Sequence, residues 1–252
     1  MTDVPLPAET ATMRAVRATR YVTAFREGGS LPGLVEADDD GLYVVKFRGA
    51  GQGPRVLVAV DLEAAIADSE PHQEIHDLLV ASVGRNIGLD FLPGSMTFNP
   101  VVDATPDPDW AASVVWLDGL VTNPDRSPRN PNLLVWHGRP WLIDHGAALY
   151  IHHAWRDPDG HARRPHVERL ADHVLLPSAS SIGAADQRLA PLVSNALLER
   201  LVAAVPDDWL APDAVVGDAA AQRRAYVAYL GRRLEAPRPF VEPVERLRRA
   251  AA

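Results

Sequence analysis

Residues 34–46 read Leu-Val-Glu-Ala-Asp-Asp-Asp-Gly-Leu-Tyr-Val-Val-Lys. Two short runs rich in β-branched and aromatic residues flank an Asp-Gly pair, the signature of a tight hairpin. A longer run of the same kind, Arg14 to Phe25, precedes them across the glycine-rich loop Glu27-Gly-Gly-Ser-Leu-Pro-Gly33. The expectation is a meander of three strands over 14–25, 34–37 and 42–47. A second glycine-rich loop, residues 48–54, leads to an apolar strand-like run at 56–60. From Ser69 the pattern becomes helical. Ser69 can cap a helix with Pro71 in its first turn, Ile75, Leu78, Leu79 and Val83 on one face, and Asn86 or Gly88 near its end. Another helix is expected over 110–121. A polar loop at 123–132 then leads to a hairpin with strands 133–136 and 141–143 and a four-residue turn. Amphipathic helices follow from Val167. The reading gives a β-rich lobe at 1–68 and a helical lobe at 69–252.

Composition narrows the function. The chain has 252 residues, 47% hydrophobic and 23% charged, enough for a substantial core. A formal charge of −8 opposes attraction to nucleic-acid phosphates, so nucleic acid is not the expected partner. Cysteine is absent, which excludes disulfides, thiolate metal sites and cysteine nucleophiles. No basic start and apolar run mark a signal peptide, and no stretch is long enough to span a bilayer. A soluble, cytoplasmic protein is expected, without a membrane partner. Of the 25 basic residues, Lys46 is the single lysine. In so arginine-biased a chain, a compact ammonium on a slim stem points to chemistry that a planar guanidinium does not supply.

Four features follow one another in an order that suits a nucleotide-dependent phosphotransferase. The glycine-rich turn holding Gly28, Gly29 and Ser30 lets backbone N–H groups approach phosphates. Lys46 sits on the following hairpin, placed to neutralise phosphate charge. Asp125 and Asn130 lie five apart in a polar loop, the spacing of the aspartate and asparagine in the protein-kinase pattern H-R-D-x-x-x-x-N. Asp144-His-Gly146 ends a hairpin strand, as the metal-binding D-F-G does, with histidine in place of phenylalanine. Aspartate and asparagine oxygens are the hard donors that Mg²⁺ prefers.

Through residues 41–53, 89–94, 117–126, 130–134 and 141–148, and more weakly 172–177, the chain resembles the HipA-like kinase family, in its compact stand-alone branch. The resemblance implies an α+β, bilobal protein-kinase-like fold, with a small β-rich lobe and a larger, mostly helical one. It implies transfer of the ATP γ-phosphoryl group to a hydroxyl acceptor, of which a protein serine or threonine is the type expected. By the same resemblance Asp125 is catalytic, Lys46 contacts ATP together with the backbone of Gly28, Gly29 and Ser30, and Asn130 and Asp144 hold Mg²⁺. Asn132 is the rival to Asn130. A regulatory protein partner belongs to the same expectation. The chain departs from the family after Lys46, where Arg55 to Leu62 runs on without the helix whose glutamate pairs with the lysine. The alternative reading is therefore a weak or inactive pseudokinase that binds nucleotide or a partner.

Other motifs read as structure. In His72-Gln-Glu-Ile-His76 the glutamate is misplaced for a zinc-protease helix, which leaves a solvated helix face. His152 and His153 are adjacent, so on a strand they point to opposite faces. The tryptophan pairs 110/116 and 136/141 read as packing, and Asp38 to Asp40 as a solvated turn. Arg246, Arg248 and Arg249 read as a solvated helix end. No Gly-x-Ser-x-Gly occurs, so a serine hydrolase lacks support.

Overall fold

The structure, a computed structural model, describes residues 14–25, 32–46 and 58–251. The chain forms two compact units, Met1–Pro93 and Gly94–Ala252. This division falls later than the 68/69 position read from the sequence, because residues beyond 68 supply a strand that the first unit needs. Gly28, Gly29 and Ser30, and the glycine-rich loop at 48–54, lie outside the described residues.

The first unit contains β1 (Arg14–Ala24), β2 (Gly33–Ala37), β3 (Leu42–Lys46), β4 (Val58–Leu62), α1 (Gln73–Ala81) and β5 (Gly84–Asp90). The strands close into a barrel in the order β1-β2-β3-β5-β4. Closure depends on the eleven residues of β1. Its first part, Arg14 to Arg17, pairs in parallel with Val58 to Asp61, while Ala18 to Ala24 pairs antiparallel with Ala37 to Gly33. One strand thus serves two neighbours and leaves no free sheet edge there. Val16, Tyr21, Val35, Tyr43, Val45 and Val60 point inward as the barrel core, following the period of two that strands impose.

These observations correct the expected architecture. The chain is α+β, but its β-rich unit is a closed five-stranded barrel, and the bilobal protein-kinase fold is not what the structure shows. The segment after Ser69 departs from expectation in the same region. A 3₁₀ turn covers Ala64–Ser69, α1 starts only at Gln73, and its first-turn cap position is His72 rather than Ser69. Residues 84–90 form a strand, not a helix end. Gly84 takes φ +100°, a conformation closed to side-chain-bearing residues, and the amide of Asn86 donates to the carbonyls of Ser82 at 2.6 Å and Gly84 at 2.8 Å. The chain therefore reverses after α1, and β5 enters between β3 and β4.

The Asp-Gly hairpin forms as read, with Asp40 at φ +62°. Its acids are more than a solvated turn. Asp39 accepts from the Gly41 N–H at 3.0 Å and the Tyr43 hydroxyl at 2.7 Å, and also pairs with Arg14.

The second unit contains β6 (Met96–Thr97), α2 (Pro108–Leu120), β7 (Leu133–Trp136), β8 (Arg139–Leu142), α3 (Pro158–Arg163), α4 (Ile182–Leu189), α5 (Asn195–Ala203), α6 (Ala219–Leu234) and α7 (Val241–Ala251). Asp107 caps α2 by accepting from the Trp110 N–H at 2.8 Å, with Pro108 next in the first turn. The helix is buried on most of its circumference, with α4, α6 and α7 packed against it. Gly119 permits the closest approach: a Cβ there would lie 2.7 Å from the Phe240 ring. The β7–β8 turn has two residues instead of four. His137 and Gly138 take φ +49° and +70°, both left-handed as a type I′ turn requires, and Trp136 packs edge-on against Trp141 at 5.6 Å. Among the described residues no helix is long and apolar enough to cross a membrane.

Gly84→Ala forces a Cβ into the left-handed region and is expected to destabilise the protein by about 1–2 kcal/mol. A lowered urea midpoint with unchanged slope checks this.

Candidate active site

The second unit gathers three of the sequence's candidates through one buried carboxylate. Asp118 lies in the last turn of α2, with no solvent exposure. It accepts from the Asn123 amide at 3.0 Å, from Nε of Arg126 at 2.6 Å, and from Nε2 of His173 at 3.0 Å. The Leu175 N–H donates to Nδ1 of His173 at 3.1 Å, so the ring proton lies on Nε2 and points at Asp118. Arg126, 1% exposed, also donates to the carbonyl of Asn132. Val174 N–H closes the frame on the Arg126 carbonyl at 2.9 Å. Helix end, loop and the 173–175 segment are thus held to one another.

Burial alone would push the Asp118 carboxyl up. The hydrogen bond from His173 and the charge of Arg126 outweigh it and hold the group at about 2, below its ordinary 3.8.

Asp125 projects from the loop this frame fixes. Asn130 donates its amide to Oδ1 at 2.8 Å and Asn132 to Oδ2 at 3.1 Å, while the Asp125 N–H rests on Oδ1 of Asn123 at 3.2 Å. A carboxylate offers about four acceptor positions, so two amide donors leave room for another proton donor. The two asparagines differ in environment. Asn132 is buried, takes φ +46°, and its carbonyl accepts from Arg126 and from the Ile143 N–H at 3.0 Å. Asn130 is exposed, and having given its N–H to Asp125, its carboxamide oxygen takes no hydrogen bond among the described residues.

The β7–β8 pairing brings in the next candidate. Leu133 lies opposite Leu142 and Asn132 bonds to Ile143, so Asp144 emerges beside the start of β7. It takes φ +45°, is half-buried, and accepts from the Gly146 N–H at 3.2 Å. Two non-glycine residues in left-handed conformation, Asn132 and Asp144, thus sit at the hairpin base, Asn132 opposite Ile143 and Asp144 next along the chain. Strain of this kind concentrates where a structure fixes functional groups.

Lys46 belongs to the other unit. It ends β3 in the first unit, opposite Ile87 of β5, and is half-buried. Gly28, Gly29 and Ser30 fall outside the described residues. Asp118, Asn123, Arg126 and His173 escaped the sequence reading. Their signal was a lone acid in the apolar helix Val114 to Val121, where an unpartnered charge is too costly to bury and so requires donors. Among the described residues no three His, Asp or Glu side chains converge as a metal site. His152 and His153 stack on each other at 4.2 Å, within a 3₁₀ turn rather than a strand.

Compared with family models, curated proteins and solved structures, the chain matches none.

Arg126→Met leaves the Asp118 charge buried without its cation and is expected to cost about 3–5 kcal/mol. The folded Asp118 value lies below the unfolded one, so its stabilisation is complete above about pH 4 and fades as pH falls toward 2. Urea midpoints taken across that window are expected to converge for wild type and Asp118→Asn.

Proposed function

We propose that the chain is an ATP-dependent phosphotransferase that moves the γ-phosphoryl group to a hydroxyl acceptor, with a protein serine or threonine as the acceptor type. The observation that carries this reading is the Asp125 carboxylate, held by the amides of Asn130 and Asn132 on a loop locked to the buried Asp118. The reading rests on the site rather than on the fold, since one chemistry can be built on unrelated architectures.

Asp125 receives the acceptor hydroxyl on its remaining lone pairs. The acceptor oxygen bonds to the γ-phosphorus as the bond to the β,γ-bridging oxygen breaks. ADP leaves, and the hydroxyl proton passes to Asp125. Positioning supplies much of the rate, which explains why a fixed carboxylate matters more than a strongly basic one.

Mg²⁺ suits the donors present. The Asn130 amide nitrogen is committed to Asp125 and leaves its oxygen available, and Asp144 adds a carboxylate. Two protein oxygens, completed by water and phosphate, match the usual Mg²⁺ environment. When bound there, the ion offsets charge on the β and γ phosphates. Burial ties Asn132 into the loop frame, which favours Asn130 as the ligand. Lys46 is assigned the nucleotide phosphates as a separate, independently testable part of the proposal.

Calorimetry with ATP, with and without Mg²⁺, alongside transfer of labelled γ-phosphate, checks the reading. Asp125→Asn is expected to lower transfer by about 10²–10⁴-fold with ATP affinity retained. Asp144→Asn is expected to abolish the Mg²⁺ dependence of binding, and Lys46→Ala to weaken ATP. Nucleotide binding without transfer by the wild type gives the pseudokinase alternative. No nucleotide binding refutes both.

A further inference from the structure

Residues 150–169 read Tyr-Ile-His-His-Ala-Trp-Arg-Asp-Pro-Asp-Gly-His-Ala-Arg-Arg-Pro-His-Val-Glu-Arg and hold four of the chain's nine histidines and four arginines. The segment folds around a cavity of about 530 Å³, lined by Tyr150, His153, Arg156, Arg164, His166 and Arg169 among others. Among the described residues, Glu168 is the single acid on its wall. In a chain of net charge −8 this is a local reversal of sign.

The arginines are not consumed by strong internal pairs. Arg156 makes no ion pair among the described residues. Arg164 meets Asp157 only at 3.7 Å, with both side chains about two-thirds exposed, a pairing worth little in water. Arg169 lies over the Tyr150 ring at 4.8 Å, which holds its guanidinium without neutralising it.

Behind the wall lies a further charge. Arg233 is fully buried and donates to the carbonyls of Gly119, Leu120, Ala162 and Arg164 at 2.6–3.0 Å. No carboxylate pairs with it among the described residues. Its donors are satisfied but its charge is not, so its field adds to the potential of the cavity. His161, packed on His166 at 4.2 Å, registers the excess: burial first, then His166 and the charges of Arg233, Arg164 and Arg169, hold it down to about 4.

The backbone is strained in the same place. Leu149, Trp155, Asp157 and His166 all take φ between +45° and +54°. Four such residues within one short segment are kept only where the surroundings over-determine the shape.

We propose that this cavity binds a phosphate group. Several arginines presenting planar forks suit a dianion with three acceptor oxygens better than a single carboxylate. The volume falls in the range of small-molecule sites, which admits a phosphomonoester as readily as the free ion. The proposal does not depend on the transfer reaction.

Calorimetric titration of the full chain with phosphoserine and with inorganic phosphate tests it, in wild type, Arg156→Glu, Arg169→Glu and Asp125→Asn. Saturable binding is expected, weakened about tenfold or more by either charge reversal and unchanged in Asp125→Asn. Arg156 is exposed, so its variant reports on binding even if Arg169→Glu fails to fold. Tighter binding of phosphoserine assigns a phosphorylated molecule as the ligand, and equal affinity assigns the free ion; both uphold the proposal. No saturable binding by either probe, or binding indifferent to the loss of Arg156, overturns it.

Discussion

A charge buried at the end of an apolar helix governs the second unit. Asp118 has no exposure, so its carboxylate must be met by donors or it cannot remain ionised there. Asn123, Arg126 and His173 meet it from two other segments. Satisfying one acid therefore fixes where the loop 123–132 leaves the helix and where residues 173–175 cross it. Removing either charged partner is costly because the other is then stranded. This makes the pair a constraint on geometry more than a net source of stability.

The proposed function rests on that constraint. Asp125 sits one residue before Arg126, so the group that fixes the loop also fixes the carboxylate. The same Arg126 reaches the carbonyl of Asn132, whose amide returns to Asp125. Asn132 then bonds to Ile143, and Asp144 follows. A continuous set of hydrogen bonds thus runs from a helix core to the candidate reacting groups, and its outer ends, half-buried Asp125 and exposed Asn130, are the ones placed to meet a ligand.

Much of the local structure was legible. The Asp-Gly pair at 40–41 announced the first hairpin, and the helical spacing over 110–121 announced most of α2, though not its start at Pro108, because turns and short periodic runs are set by neighbours in sequence. The Asp125–Asn130 spacing and the strand-end Asp144 were legible for the same reason. Barrel closure was not. The Arg14–Val58 pairing is non-local, and residues 84–90 carry two glycines, an asparagine and alternation too weak to mark a strand beside a helical pattern. The four-residue turn at 137–140 shrank to two because Arg139 and Pro140 pair with Trp136 and Val135 across the hairpin. His173 was invisible as a partner of Asp118, since 55 residues separate them.

The central claim is that the Asp118 frame holds Asp125 where phosphoryl transfer occurs, with Asn130 and Asp144 as the cation's ligands. A crystal structure of the chain with Mg²⁺ and a non-hydrolysable ATP analogue tests it most directly. The account predicts the ion on the oxygens of Asn130 and Asp144, and the γ-phosphate facing the Asp125 carboxylate with the Asp118 hydrogen bonds intact. A nucleotide bound away from Asp125, or an ion held by other residues, would contradict it.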